Sequence, residues 1–261
     1  MNRFLDEILE NDKVRQLINE AICHKEAQEW AEKVINGCKE NPEDSMLQIL
    51  TLAYMTDYAF KKNAERGIPE EITVKTLKDV NVWFDNYESQ FKKTGLKEFC
   101  WLRYHYTADL FHIGRLQFRL EKSLEGIPSG EYAIETHIPQ GQPLRYDECL
   151  ESFKEATAFF DKYFPEIKAD YFMCDSWLLS PELQNILNPE TNIAKFNSLW
   201  TVIPFVKDNS AQAIERVFGF GFKRAELENA PEETSLQRAV KAHLISGKEL
   251  DLAAGYIKIE R

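Results

Sequence analysis

The sequence predicts an α+β protein in which an all-helical N-terminal domain precedes a domain of mixed strands and helices. In the first hundred residues, apolar side chains recur every three or four positions, which is the spacing of a buried helix face. From about residue 112, apolar and polar residues alternate instead, as they do in half-buried strands. The length of 261 residues also exceeds the about 100 to 200 residues of an ordinary single domain. We therefore expect one domain over residues 1–111 and another over residues 112–261.

The N-terminal domain carries two clear helix starts. Asn41 and Pro42 have the residue types of an N-cap and a first helical position, which predicts a helix that stops near Gly67. Pro69 is a second proline of the type found at the start of a helix, and it predicts that another helix begins there. The helix that follows has a regular apolar stripe, which we interpret as packing core rather than a ligand site. A further helix is expected over about residues 96–110. The stripe consists of Val74, Leu77, Val80, Phe84, Tyr87 and Phe91.

The second domain is predicted to begin with a hairpin, a helix and a third strand. Residues 115–120 alternate as a strand, residues 126–130 supply a turn, and residues 132–138 form a second, antiparallel strand. The next helix is ended by Pro165. Residues 169–175 are then predicted to form the third strand.

The rest of this domain is predicted to alternate helices with two more strands. Pro204 lies inside an apolar run, and because proline has no backbone N–H it indicates a sheet edge or a bulge there. Thr234 and Gln237 have the spacing of a capping box. In chain order, we expect a helix from Ser180 and Pro181, a strand over residues 199–206, helices over residues 210–218 and 234–245, and a closing strand over residues 255–259.

Composition and charge exclude several classes of protein. The net charge of −11 argues against nucleic-acid binding, which needs a surplus of lysine and arginine on one face. The five cysteines stand singly, so neither a metal site nor a disulfide framework is expected. The N-terminus lacks the apolar stretch of a signal peptide, and no run reaches the roughly 18 apolar residues of a membrane span. We expect a cytoplasmic protein without nucleic-acid or membrane partners.

Three stretches of the second domain resemble a known family. They are residues 111–118 (FHIGRLQF), 137–144 (HIPQGQPL) and 174–179 (CDSWLL), and the similarity extends to Asn192, Ile193 and Phe196. The chain is similar to a bacterial family of acyltransferase-domain proteins, in which a helical N-acyltransferase N-terminal domain precedes a GNAT-like C-terminal domain. The resemblance implies a GNAT-like mixed β-sheet flanked by helices, in agreement with the order of the predicted elements.

The resemblance implies transfer of an acyl group from acetyl-CoA or another acyl-CoA to an amine or hydroxyl of a small-molecule or peptide acceptor. GNAT enzymes bind the CoA pyrophosphate at a glycine-containing loop between a strand and a helix N-terminus. The segment in the equivalent place departs from this loop in having a single glycine, and Pro143 removes one backbone donor. The cofactor-binding candidates are Ile138, Pro139, Gln140, Gly141, Gln142, Leu144 and Arg145.

Four residues of the predicted strands are candidates for the chemistry. Glu135 and His137 lie two positions apart, so they share one face of the second strand, and either could act as general base. Cys174 and Ser176 lie at the end of the third strand, where a GNAT sheet opens to admit the pantetheine arm of CoA. The tyrosine that many GNAT enzymes carry in the next helix has no counterpart in this sequence.

Three hypotheses about function remain open. The leading one is an acyl-CoA-dependent acyltransferase in which the acceptor attacks the thioester directly. The second is a non-catalytic ligand-binding or interaction protein with a degenerate GNAT-like sheet, because the loop departs from the family pattern and the tyrosine is missing. The third is a cysteine-dependent enzyme, which requires His137 near Cys174 and a lowered thiol pKa. The sequence does not fix the acceptor, the acyl-chain length or the oligomeric state.

Overall fold

The N-terminal part of the chain is helical, as its apolar spacing predicts. In the computed structural model, which describes residues 1–128, 130–203 and 207–261, a π-helical turn over Phe4–Ile8 precedes the α-helices. Twelve of the 21 residues of the third helix are buried, which makes it the central helix of this core. The helices are α1 (Asp12–Glu20), α2 (His24–Ile35), α3 (Ser45–Glu65), α4 (Glu70–Leu77), α5 (Asp79–Phe91) and α6 (Phe99–Tyr106).

Helix α3 begins three residues later than predicted. Its N-cap is Asp44 rather than Asn41, because the Asp44 carboxylate accepts a hydrogen bond from the Leu47 N–H at 2.9 Å. The Pro42 carbonyl instead accepts a hydrogen bond from the buried Gln48 side chain at 2.7 Å. Asn and Asp are both good N-caps, so residue type alone did not distinguish the two positions. The predicted end of the helix near Gly67 is confirmed.

The apolar stripe predicted as one helix belongs to two helices. Helix α4 ends at Leu77 and α5 begins at Asp79, with Lys78 between them. Because the break contains neither glycine nor proline, the spacing of apolar residues gave no sign of it. Phe84 is buried, whereas Phe91 at the end of α5 is 42% exposed. The stripe therefore packs into the core except in its last turn.

The strands form one mixed six-stranded sheet in the described residues. The first two strands are antiparallel, β3 and β4 are parallel, and β6 is antiparallel to both β4 and β5. The predicted α+β class, a helical part followed by a mixed sheet with flanking helices, is confirmed. The strands are β1 (Leu110–Ile113), β2 (Leu116–Lys122), β3 (Tyr132–His137), β4 (Ala169–Ser176), β5 (Thr201–Ile203) and β6 (Ala253–Lys258), in the order β1-β2-β3-β4-β6-β5.

Strand β1 is an element that the sequence did not predict. The prediction continues a helix to about residue 110, but α6 ends at Tyr106. Ala108 has φ +61°, a left-handed conformation that redirects the chain without a glycine. Gly114, with φ +59°, makes the turn between β1 and β2. Arg115 therefore lies in this turn rather than in the strand predicted to begin there.

Asp79 is a buried acid that joins α5, α6 and β2. Its carboxylate accepts hydrogen bonds from Trp83 Nε1 at 2.9 Å and Gln117 Nε2 at 3.0 Å. Trp101 Nε1 and His105 Nε2 each lie 3.4 Å from the same carboxylate. Burial acts to raise the pKa of this carboxyl, but the hydrogen bond and charge of His105, with the bonds from Trp83 and Gln117, outweigh burial and lower the pKa to about 2.

His112 on β1 is a second titratable group in the same part of the molecule. Its backbone N–H donates to Thr76 Oγ1 at 2.9 Å, which ties β1 to α4. Burial lowers the pKa of its imidazole to about 4, and the positive charge of Lys75 adds to this lowering. The negative charge of Asp79 opposes these effects without overcoming them. His112 is therefore a neutral histidine at neutral pH.

The helices after β3 agree with prediction in their caps more than in their lengths. The capping box is confirmed, since the Gln237 N–H donates to Thr234 Oγ1 at 3.1 Å and the Thr234 N–H donates to Gln237 Oε1 at 3.0 Å. The helix predicted from Ser180 and Pro181 begins later than expected, at Leu183, and the Ser180 carbonyl accepts a hydrogen bond from Asn197 Nδ2 at 3.2 Å. The helices are α7 (Tyr146–Tyr163), α8 (Leu183–Ile186), α9 (Asn192–Asn197), α10 (Ala211–Phe218) and α11 (Ser235–Ile245), with 3-10 turns over Trp177–Leu179 and Arg224–Asn229.

The chain divides into two compact units. One consists of residues 1–119 with residues 138–142, and the other of residues 120–137 with residues 143–261. The predicted boundary between residues 111 and 112 stays a prediction. Two further predictions lie outside the described residues, namely Pro204 as an edge or bulge residue and Ser129 in the turn before β3.

Candidate functional site

The parallel ladder between β3 and β4 ends before either strand does. The last residues that the two strands pair are Glu135 and Met173, whereas β3 continues to His137 and β4 to Ser176. The end of β4 stays paired with β6, so the opening lies on the β3 side of β4. Ligands of sheets with parallel strands bind beyond the carboxyl ends of those strands. This opening is therefore the place in the sheet where a ligand has access to main-chain groups.

Glu135 and His137 lie side by side at this opening. Both side chains leave the same face of β3, and His137 Nε2 is 3.2 Å from Glu135 Oε2. The side chains are mostly buried, with 14% and 21% of their surfaces exposed. A carboxylate beside an imidazole holds the ring in one orientation, which is the arrangement of a general base with its orienting acid. The structure thus brings together the two residues predicted as candidate bases.

Cys174 is buried in the sheet rather than exposed at its edge. Its residue is 1% exposed and pairs with Gly255 of β6. Burial raises the pKa of its thiol well above the ordinary value, and the negative charges of Asp175 and Glu135 raise it further. A nucleophilic cysteine needs a lowered thiol pKa, so the environment of Cys174 does not meet the requirement of the cysteine-dependent hypothesis. We interpret Cys174 as a packing residue.

The hydroxyl of Ser176 is engaged in local structure. It accepts a hydrogen bond from the Leu178 N–H at 3.2 Å and so caps the 3-10 turn after β4. It also donates to Gln212 Oε1 at 3.4 Å, and the same oxygen accepts the Trp177 N–H at 3.0 Å. Through these two hydrogen bonds, Gln212 in the first turn of α10 connects α10 to the end of β4. No local pattern in the sequence indicates this role, because the partners lie on different elements.

The segment after β3 is an open turn around Gly141. Gly141 has φ +108°, which favours glycine, and outside its chain neighbours no described atom lies within 4 Å of the position of a Cβ. Its main chain is therefore accessible to a ligand. Of the other predicted cofactor residues, Pro139 is buried, Ile138 and Leu144 are half-buried, and Gln140, Gln142 and Arg145 are exposed.

The first turn of α7 is negatively charged. Asp147 and Glu148 stand there, and Glu148 pairs with Arg145 at 3.4 Å. The Tyr146 N–H already donates to Asn192 Oδ1 at 3.4 Å. Carboxylates at a helix N-terminus interact favourably with the helix dipole and so compete with a phosphate for it. A phosphate bound to this segment would thus depend on the main chain at Gly141 and on Arg145 more than on the dipole of α7.

Neither a metal-binding cluster nor a membrane-spanning helix is present in the described residues. Over residues 1–128, 130–203 and 207–261, no three His, Cys, Asp or Glu side chains are grouped so that they could hold a metal ion. Within the same residues, no helix has the length and apolar character needed to cross a bilayer.

Family models match nearly the whole chain. The model of the N-acyltransferase N-terminal domain matches residues 1–108, and the model of the GNAT-like C-terminal domain matches residues 110–257. This chain belongs to the GNAT-like family. The family predicted from residues 111–118, 137–144 and 174–179 is thereby confirmed, and so is the order of its two domains.

Solved acyltransferase structures share the fold of this GNAT-like chain. One is an acyltransferase mutant in complex with octanoyl-CoA, with a TM-score of 0.83 and 24% identity over 97% of this chain and 85% of that one. Another is an acyltransferase in complex with decanoyl-CoA and teicoplanin, with a TM-score of 0.79 and 24% identity over 99% and 83% of the two chains. The predicted GNAT-like fold is confirmed by this likeness. No curated protein sequence matches the chain.

Proposed function

We propose that this chain is an acyl-CoA-dependent N-acyltransferase, which moves an acyl group from a CoA thioester to an amine of a small-molecule acceptor. The observation that carries the proposal is the opening between β3 and β4 with the Glu135 and His137 pair at its edge. Membership of the GNAT-like family supports the reaction class. The octanoyl-CoA, decanoyl-CoA and teicoplanin bound by the solved relatives support an acyl-CoA donor and a small-molecule acceptor. A bacterial origin and a cytoplasmic location are part of the same proposal.

The proposed reaction is a direct attack of the acceptor amine on the thioester carbonyl. His137 takes the proton that the amine loses, while Glu135 holds the imidazole in place and stabilises its positive charge. The carbonyl oxygen becomes an oxyanion, which main-chain N–H groups at the open edge of the sheet stabilise. The C–S bond then breaks, the CoA thiolate takes up the proton that His137 received from the amine, and the products are an amide and free CoA.

The segment after β3 holds the CoA end of the donor in this proposal. Gly141 lets the pyrophosphate approach the main chain, and Arg145 supplies a positive charge. Cys174 and Ser176 shape the β4 side of the opening and take no part in bond making. The rest of the CoA segment consists of Ile138, Pro139, Gln140, Gln142 and Leu144.

Binding of acyl-CoA tests the proposal before any acceptor is known. The melting temperature rises saturably with acetyl-, octanoyl- or decanoyl-CoA if the folded chain binds the donor, because such a ligand stabilises the native state by mass action. Gly141→Asp places a carboxylate in the CoA segment and should abolish the rise. Gly219→Asp is the matched control, since Gly219 also has a positive φ, +112°, and open space around it, but follows α10. A melting temperature that stays constant up to millimolar acyl-CoA would refute the proposal.

A non-catalytic binding protein is the second candidate function. The carboxylates of Asp147 and Glu148 and the missing N–H of Pro143 favour it, because both features weaken a phosphate site. This alternative predicts that the chain binds acyl-CoA or another ligand and never turns it over. Release of free thiol from acyl-CoA in the presence of a panel of primary amines distinguishes the two functions.

A further inference from the structure

Residues 138–142 of the CoA segment pack as part of the N-terminal unit. Residues 138–142 belong to the same compact unit as residues 1–119, although β3 before them and Pro143 after them belong to the other unit. Side chains of the N-terminal unit form direct hydrogen bonds with this segment. They are Asn86 on α5 and Arg115 in the turn between β1 and β2.

Asn86 forms a reciprocal pair with Gln140. Asn86 Nδ2 donates to Gln140 Oε1 at 3.0 Å, and Gln140 Nε2 approaches Asn86 Oδ1 at 3.4 Å. Because each amide both donates and accepts, the pair fixes the relative orientation of the two side chains. Asp or Leu could not make both bonds. The residue before Gly141 is therefore held in one position by a helix 54 residues earlier in the chain.

Arg115 holds the residue after Gly141. Its Nη2 donates to the Gln142 carbonyl at 2.6 Å, and the arginine is 6% exposed although Gln142 itself is exposed. A guanidinium keeps its charge at any accessible pH, and a charged donor makes a stronger hydrogen bond than a neutral one. Pro143 adds a further restraint, because the residue before a proline is confined to extended conformations.

The turn that carries Arg115 is itself fixed. Lys75 Nζ, from α4, donates to the Gly114 carbonyl at 2.5 Å. The glycine adopts φ +59°, so the turn has one defined shape from which Arg115 reaches the CoA segment. A continuous set of hydrogen bonds thus runs from α4 through this turn to Gln142, and a separate one runs from α5 to Gln140.

We infer that Asn86 and Arg115 are positioning residues of the N-terminal unit, which preset the main chain at Gly141 for the pyrophosphate of acyl-CoA. The inference rests on the proposed function. A flexible loop must be ordered when it binds a ligand, and ordering costs affinity. Because the residues on both sides of Gly141 are already fixed in the folded N-terminal unit, the free-energy cost of ordering them arises when the protein folds. It is not incurred again when acyl-CoA binds. The helical domain then contributes to donor binding through the shape of the loop.

The mobility of Gly141 in the free protein tests the restraint itself. The amide order parameter of Gly141, measured by NMR relaxation, should fall from the rigid value of about 0.85 to below about 0.6 in Asn86→Ala. The exchanged pair, Asn86→Gln with Gln140→Asn, should restore it, because the total side-chain length and both amides are kept. Asn185→Ala, an exposed amide on α8, is the matched control and should leave Gly141 rigid. An unchanged order parameter in Asn86→Ala would overturn the inference.

Donor affinity then tests the link to function. We expect the Kd for octanoyl-CoA to rise roughly tenfold in Asn86→Ala and in Arg115→Lys, with recovery in the exchanged pair. The melting temperature of Asn86→Ala should stay close to that of the wild type, since Gln140 is exposed and the pair lies at the surface. A looser Gly141 with unchanged Kd would overturn the inference and leave the proposed function intact. A wild-type chain that binds no acyl-CoA would instead refute the proposed function, and the assigned ligand with it.

Discussion

Glu135 and His137 are the residues on which the proposed chemistry depends most. They were predicted as candidate bases from a spacing of two residues, which places them on one face of any strand. Their 3.2 Å contact could not be predicted, because it depends on rotamers that the surrounding sheet selects. The roles of Asn86, Arg115 and Gln212 gave no sequence signal, since each acts through a partner on another element.

Replacement of His137 should slow the chemical step more than it weakens donor binding. We expect His137→Gln to lower kcat roughly 10²- to 10⁴-fold, because proton transfer from the amine loses its acceptor. Glu135→Gln should have a smaller effect, since the imidazole remains but loses its charged partner. The measurement is the release of free CoA thiol at saturating acyl-CoA and amine, with the Kd for acyl-CoA measured in parallel.

Cys174→Ala is the control that separates the acyltransferase from a cysteine-dependent enzyme. The variant should keep the wild-type kcat, because the thiol that it lacks is buried and neutral in the wild type and so is not a nucleophile. Complete loss of thiol release in Cys174→Ala, with the melting transition retained, would restore the cysteine-dependent hypothesis. Wild-type kcat in His137→Gln would remove His137 from the mechanism.

At the scale of helices and strands, the cap of α11 was predicted correctly, whereas the N-cap of α3 was placed three residues too early. The Thr234 and Gln237 box is visible in sequence because both partners lie within one turn. The break at Lys78 and the start of β1 were missed, since neither is marked by glycine or proline. Both depend on packing within the N-terminal unit, where Asp79 is buried just after the break.

Loss of the α11 cap should cost a measurable part of the folding free energy. We expect Thr234→Ala to lower the free energy of unfolding by about 1 kcal/mol, because the Gln237 N–H loses its acceptor. Urea unfolding followed by circular dichroism measures the change. Thr234→Ser keeps the hydroxyl and should unfold at nearly the wild-type midpoint. Equal midpoints for the alanine and serine variants would show that the box contributes nothing to stability.

For the whole molecule, the sequence predicted the fold class and most of the elements but not the order of strands in the sheet. Strand β6, the last in the chain, lies between β4 and β5. Alternation of apolar residues identifies a strand without naming its neighbours, because pairing joins residues far apart in the chain. The opening between β3 and β4 is a property of that pairing, so the resemblance to GNAT proteins indicated it and the residue pattern did not.

Two groups with lowered pKa values, His112 and Asp79, make the stability of the folded protein depend on pH. In the folded state the pKa of His112 is lowered from 6.5 to about 4, and that of Asp79 from 3.8 to about 2. In both cases the group has a higher pKa in the unfolded chain than in the folded protein. As the pH falls, the unfolded chain therefore takes up the proton first. The free energy of unfolding therefore falls as the pH falls, first between 6.5 and 4 through His112, then between 3.8 and 2 through Asp79.

Removal of His112 should abolish the first of these two losses. Between pH 7 and pH 4 the wild type should lose on the order of 3 kcal/mol through this residue, because each pKa unit corresponds to about 1.4 kcal/mol. His112→Gln should lack that component. Urea unfolding at pH 7, 5.5 and 4 measures it. If the free energy of unfolding falls equally with pH in the wild type and in His112→Gln over this range, His112 is not the group responsible.

The discontinuity of the N-terminal unit has a consequence for biosynthesis. Domains generally fold in order as the chain leaves the ribosome. Here residues 1–119 lack residues 138–142, so the N-terminal unit cannot be completed until the chain has been made through residue 142. By that point β3 has also been synthesised. A nascent chain stopped at residue 119 would leave Asn86 and the guanidinium of Arg115 without the CoA segment, and completion of the unit requires the synthesis of residues 120–142.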